Sequence, residues 1–234
     1  MVNPVNKVPT DTPLDKIIDG LEPGIITNIY GPAGSGKTNI ILVSIISMLR
    51  EGKKVVFIDT ESNFSTERFA QLGGTDEMFK NIIFITPSSW NEQDRLMGRI
   101  FDKIKKQNIG LIVVDSMVSL YRLEVADDNF RVINKQLAKQ FSVLSNIARV
   151  LDIPVFVTSQ VYSKREESGD ISIQVTSNRI AKYWSKTLIE VQRLAKSGHR
   201  LAILRRHRSK PENMQIEFVI EQDKLKEVGK FSLF

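Results

Sequence analysis

The sequence predicts an α/β fold: a mainly parallel central sheet flanked by helices, continued by a C-terminal antiparallel extension. Three observations predict it. Short, almost wholly apolar runs recur along the chain, each followed by a stretch of helical character, as strands buried on both faces of a parallel sheet do. One strand-to-helix junction carries Gly31-Pro32-Ala33-Gly34-Ser35-Gly36-Lys37-Thr38, a G-x-x-x-x-G-K-T spacing. From Trp184 onward the helical stretches stop, and strand-like segments joined by tight connections take over.

Residues 1–13 carry three prolines and no periodicity, so they read as a flexible N-terminal arm, with 14–234 as one domain. Pro13 to Ile18 reads as a short helix closed by Gly20 and Pro23-Gly24. Ile25 to Tyr30 is strand-like, and Ile40 to Leu49 is apolar enough for a buried helix. Val55 to Asp59, Ile82 to Ile85, Leu111 to Asp115 and Pro154 to Gln160 are the further strands of the parallel type. Helices are expected over Asn63 to Leu72, Asn91 to Lys106 and Asp127 to Leu151; the last shows an inner face of Leu137, Phe141, Leu144, Ala148 and Leu151. Tyr162 to Ser177 is polar and mixed in charge and reads as a flexible loop. Trp184 to Leu194, His199 to Arg206 and Met214 to Glu221 then read as antiparallel strands.

The whole chain restricts the classes of function. Its 234 residues can bury a full core without cross-links, and with no cysteine it has neither disulfides nor thiolate metal sites. The start of the chain has no apolar core of signal-peptide length, and the longest apolar stretch, Ile40 to Leu49, is too short for a membrane span. A soluble, cytoplasmic protein without membrane partners is therefore expected. A net charge of +6 permits a polyanionic partner without requiring one.

The G-x-x-x-x-G-K-T spacing has a physical meaning at every position. The glycines let backbone N–H groups of Gly31, Pro32, Ala33, Gly34, Ser35, Gly36 and the following residues wrap an anion wherever an N–H exists. Lys37 can set an ammonium against β- and γ-phosphates, and Thr38 offers a hard oxygen to Mg²⁺. A helix starting there, through Asn39, directs its positive end to the same anion. Three residues stand at the carboxyl ends of expected strands, where open α/β sheets bind ligands. Asp115 suits the orientation of Mg²⁺ through water. Glu61 suits activation of a water for in-line attack, and Gln160 suits sensing of the γ-phosphate. Helix capping is the plainer alternative for both carboxylates.

The phosphate loop, the segment Phe57 to Arg68, the strand Leu111 to Ser116 and the segment Val157 to Val161 together resemble the core of the RecA-family recombinases, the RadA branch above all. Within that branch the chain is similar to shorter archaeal paralogues that comprise the ATPase core alone, with Tyr183-Trp184-Ser185 and Arg206-His207-Arg208 as minor likenesses. The resemblance implies a RecA-like ATPase fold using ATP and Mg²⁺, with Glu61, Lys37 and Gln160 as the catalytic set. It implies that Arg68 stacks on adenine, and that Pro211 with Arg206 and Arg208 reaches a neighbouring subunit's nucleotide. Single- and double-stranded DNA and the main RadA-type recombinase are the implied partners, with homo-oligomers as a further expectation. Since the ATPase core begins almost at once and the proline-rich arm shows no Phe-x-x-Ala tether, an amino-terminal helix–hairpin–helix domain is not expected. An accessory role in recombination and repair is therefore expected, rather than autonomous filament growth.

From Val191 to Pro211 the chain has seven Lys or Arg and no carboxylate, a run able to neutralise DNA phosphates. Arg205 and Arg208 are its DNA-binding candidates, joined by Arg122 after the Asp115 strand and by Lys164 and Arg165 after Gln160. Two other readings use the same core: a nucleotide-gated binding module without useful turnover, and a KaiC-like signalling ATPase with no DNA role.

Overall fold

The structure, a computed structural model, describes residues 6–160 and 171–229, with backbone alone for 171–176. Nine strands form one sheet: β1 (Ile26–Gly31), β2 (Lys54–Asp59), β3 (Ile82–Ile85), β4 (Ile109–Asp115), β5 (Val155–Gln160), β6 (Thr187–Arg193), β7 (His199–Arg206), β8 (Gln215–Ile220) and β9 (Leu225–Glu227). Their order is β3-β2-β4-β5-β1-β6-β7-β8-β9. The first six in that order are parallel, and β7, β8 and β9 are added antiparallel. The antiparallel extension thus begins at β7, because β6 still pairs in parallel with β1.

The helices are α1 (Asp15–Ile18), α2 (Lys37–Arg50), α3 (Thr66–Gln71), α4 (Asp76–Phe79), α5 (Trp90–Ile104), α6 (Ser119–Glu124), α7 (Phe130–Leu151) and α8 (Ile171–Trp184). Two apolar layers cover the sheet. One joins α1 and α2 to Val55, Phe57, Leu111, Val113 and Phe156. The other joins α5, α6 and α7 to Val56, Ile58, Ile112, Val114 and Val157. Alternate residues of the same strands serve opposite layers, which is why those strands read as unbroken apolar runs.

The sequence reading errs most at α8. The loop expected up to Ser177 is helical from Ile171, and Trp184 ends that helix instead of opening a strand. Small residues at Ser177 and Ala181, both buried, allow α8 to pack on α7, and Ser185 Oγ closes its end by donating to the Ala181 carbonyl at 2.7 Å. A polar composition concealed these few contacts. Of the expected arm, residues 6–13 are tied down: Val8 bridges Leu21, Lys7 Nζ donates to the Ile18 carbonyl at 2.7 Å, and Ser47 Oγ donates to the Pro9 carbonyl at 3.1 Å.

Candidate active site

Parallel register brings the tips of four strands to one edge. Gly31 lies opposite Gln160, and Asp59 lies opposite Asp115. The loop from Gly31 to Gly36 leaves β1 there and turns into α2, with Gly36 as the N-terminal flanking residue at φ +96°, a left-handed conformation costly for a residue with a Cβ. At Gly31 the demand is steric. A Cβ would stand 2.1 Å from the Val191 carbonyl oxygen of β6.

Lys37 folds back over this loop, its Nζ donating to the carbonyls of Gly31 at 3.0 Å and Pro32 at 2.9 Å and reaching Ser35 Oγ at 3.5 Å. Burial pulls its ammonium below the usual lysine range, partly offset by the charges of Asp115 and Glu61. Thr38 Oγ1 donates to Asp115 Oδ2 at 3.0 Å, and Thr158 Oγ1 from β5 donates to Asp115 Oδ1. Burial pushes the Asp115 carboxyl up, and the Glu61 charge adds to that, against the two hydroxyls and Lys37. Such a carboxylate gains from a cation at its side.

Glu61 is held from two sides: Ser116 Oγ donates to its Oε1 at 2.7 Å and Asn63 Nδ2 to its Oε2 at 2.9 Å. The backbone beneath it is fixed by buried Asp59, whose carboxylate accepts the N–H groups of Glu61, Asn63 and Phe64 at 3.1, 3.2 and 3.1 Å. Thr60 Oγ1 ties the same segment to Ser116, donating to its carbonyl at 2.7 Å. Gln160 ends β5 at the same edge, and its carbonyl accepts from Arg122 Nη2 at 2.8 Å.

Lys37, Thr38, Glu61, Asp115 and Gln160 line a single cavity of about 420 Å³, together with Ala33, Gly34, Gly36 and Asn39 of the loop and helix. Among the described residues no cluster of three or more His, Asp or Glu could hold a metal alone. A Mg²⁺ ion suits Thr38 and Asp115 because it favours one or two protein oxygens completed by phosphate and water.

The remaining expected residues divide. Arg68 joins α3 to its surroundings: Nε donates to Asn39 Oδ1 at 2.7 Å, Nη1 to Gln71 Oε1 at 3.1 Å and to the Gln222 carbonyl, and Nη2 to the Glu221 carbonyl at 3.0 Å. These bonds lie in the guanidinium plane, so they do not compete with stacking on its faces. Arg206 Nη1 donates to the Lys182 carbonyl at 2.6 Å. Arg205 pairs with Glu190 and Arg208 with Glu22, both at 2.8 Å. The carboxylates missing from the 191–211 run are thus supplied by other parts of the fold, and the DNA-binding candidates Arg205 and Arg208 each stand in an ion pair. None of these three arginines lines the cavity, nor does Pro211, which is exposed between β7 and β8. Arg122 belongs to α6, where it supports the Gln160 carbonyl. Lys164 and Arg165 lie outside the described residues.

Sequence reasoning missed Asp59, Ser116 and Arg200 as parts of the site. Arg200 lines the cavity with Gly198 and Ile220. It was counted with the basic run, and the signal that separates it is strand direction: β7 is antiparallel, so its first residues stand beside the phosphate loop.

A family model described as Rad51 matches residues 6–226. The chain is 39% identical over 220 residues to the DNA repair and recombination protein RadB of Methanobrevibacter smithii, covering 92% of this chain and 93% of that one. It is 38% identical over 217 residues to the protein of the same name from Methanosphaera stadtmanae, covering 91% and 92%. A crystal structure described as that of the RadB recombinase matches with a TM-score of 0.77 at 33% identity, over 95% of this chain and 100% of the other.

Proposed function

The chain belongs to the Rad51 family, and from that membership we propose that it binds ATP with Mg²⁺, hydrolyses it slowly, and acts on DNA in homologous recombination and repair as an accessory to the main recombinase. One observation carries the reading: Lys37, Thr38, Glu61, Asp115 and Gln160, from four separate segments, line one cavity at the start of α2.

The residues divide the work as follows. The loop N–H groups and the first turn of α2 bind the triphosphate, and Lys37 exchanges its carbonyl partners for phosphate oxygens. Thr38 and, through water, Asp115 would hold Mg²⁺, which would neutralise charge on the phosphates. Glu61, oriented by Ser116 and Asn63, positions a water and accepts its proton as the γ-phosphoryl group departs. Gln160 contacts the γ-phosphate by hydrogen bond, and through its carbonyl and Arg122 the contact continues into α6.

DNA and the main recombinase are the proposed partners. Self-association would let exposed Pro211 and Arg206 approach a neighbour's nucleotide, whereas Arg208 would first have to leave Glu22. We take 14–234 as the ATPase domain. The deciding experiment is a titration of ATP turnover in Mg²⁺ with and without single-stranded DNA. Turnover that rises with DNA supports the proposal. Tight ATP binding with no turnover would replace it by the nucleotide-gated module, and turnover indifferent to DNA would favour the signalling ATPase.

A further inference from the structure

Strands β6 and β7 meet beside the phosphate loop in an arrangement that sheet energetics disfavours. Their register sets Arg193 directly opposite Arg200, and like charges facing each other across an antiparallel ladder are destabilising. Neither guanidinium has an ion-pair partner among the described residues.

Arg200 donates through Nη1 to the His199 carbonyl at 2.8 Å and through Nη2 to the Gly34 carbonyl at 3.1 Å. Its Nε is buried and has no hydrogen-bond partner among the described residues. That atom lies 3.8 Å from where a Cβ on Gly36 would stand, and Arg193 Nη1 lies 3.8 Å from the corresponding point on Gly34. Both cations therefore border the inner glycines of the loop. Burial, with the charge of Arg193 second, holds the Arg200 guanidinium below the usual arginine range. Two unpaired cations, one with an orphaned buried donor, remain unfavourable until an anion joins them.

We propose that Arg193 and Arg200 form a same-chain anion clamp that binds the phosphate chain of the nucleotide at the Gly34–Gly36 side of the loop. The clamp rests on the nucleotide reading above. It adds to Lys37 two cations that need no neighbouring subunit, and the forked geometry of arginine suits paired phosphate oxygens. Arg200 makes the closer contact through Nε, while exposed Arg193 closes over it from β6.

The test measures affinity for Mg²⁺-ATP and for inorganic tripolyphosphate by calorimetry, with ligand-free melting alongside, in Arg200→Gln, Arg200→Lys and Arg193→Gln. Arg200→Gln should weaken both ligands by about 10- to 100-fold, the size of a lost charge-assisted hydrogen bond. Arg200→Lys should fall between, since it keeps the charge and loses the fork. Arg193→Gln should show the smallest loss. Without ligand, both glutamine variants should melt at or above the wild-type temperature, because a repulsion has been removed; a merely structural arginine would lower it. Wild-type affinity for both ligands in Arg200→Gln and Arg193→Gln overturns the clamp and leaves the nucleotide site standing. The same holds if these variants keep ATP affinity and lose only single-stranded DNA. If Arg200→Gln does not fold, unchanged ligand affinity in Arg200→Lys and Arg193→Gln overturns it instead. Should the wild type bind neither ATP nor tripolyphosphate, the nucleotide reading and the clamp fall together.

Discussion

Arg200 and Arg205 belong to the same strand, β7, and end in opposite circumstances. At Arg205 the hydrogen bond from its Nε to Glu190 raises the guanidinium above its usual range. At Arg200 burial lowers it, and the charge of another arginine, Arg193, lowers it further. Around the far end of β7 the pattern repeats: Arg208 pairs with Glu22, and Lys210 pairs with Asp19, whose carboxyl it holds below the usual range. In chain order these residues form one basic run. In space the strand carries Arg200 to the Gly31–Gly36 loop and Arg205 to the carboxylate of Glu190. Charge density along a sequence is therefore not charge density on a surface, and an unpaired cation is the more informative one.

The contrast can be broken most forcefully at the loop itself. Lys37→Ala should lower ATP affinity by about 100-fold or more, because it deletes the main counter-charge to the phosphates; equilibrium binding of a fluorescent ATP analogue measures it, and wild-type affinity would refute the site. Glu61→Gln comes next. Turnover should fall by about 100-fold while ATP affinity stays within roughly twofold, since the amide keeps the shape and cannot accept the proton. A parallel loss of binding would assign Glu61 to holding the ligand.

Asp115→Asn sharpens the comparison through stability. Asp115 has its carboxyl pushed above the ordinary 3.8 by burial, so the folded state holds more protons than the unfolded one above that pH. Wild-type stability should then fall as pH rises from there through the raised value. Asp115→Asn should flatten that part of the melting-temperature profile and raise the ligand-free melting point near neutrality by roughly 2–4 °C, while Mg²⁺-dependent turnover collapses. A lower melting point at every pH would mean that the carboxylate stabilises the apo fold. The smallest effect belongs to the far end of β7. Arg205→Ala should cost about 0.5–1 kcal/mol in denaturant unfolding, as partly exposed ion pairs do, and leave single-stranded DNA affinity within about twofold. A large loss of DNA binding would place this end of the strand on the DNA surface.

Much of the site was legible because its parts carry their positions in the chain. A phosphate loop is defined by spacing. Asp115 and Gln160 follow apolar runs that can only be buried strands, and strand tips are where such sheets place ligands. Glu61 was found the same way, but what holds it was not, because Ser116 and Asp59 act across two strands and through backbone N–H groups that leave no trace in residue type. Arg200 escaped because its meaning depends on the direction of β7. Helix α8 escaped because two small residues, Ser177 and Ala181, serve its packing where a sequence reader looks for large apolar ones. The docking of residues 6–13 of the expected arm was not legible for a related reason: prolines mark a segment without regular structure, and such a segment can still be tied down.

The first glycine of the loop has a structural reach beyond its motif. With the Val191 carbonyl against its Cα, position 31 is where β1 meets β6, the last parallel strand before β7, β8 and β9. Any larger residue there must prise β6 from β1 and carry β7, β8 and β9 with it. The proposed triphosphate cradle is accordingly built on the joint between β1 and the strands beyond it, and a strain imposed on either side is delivered to it directly.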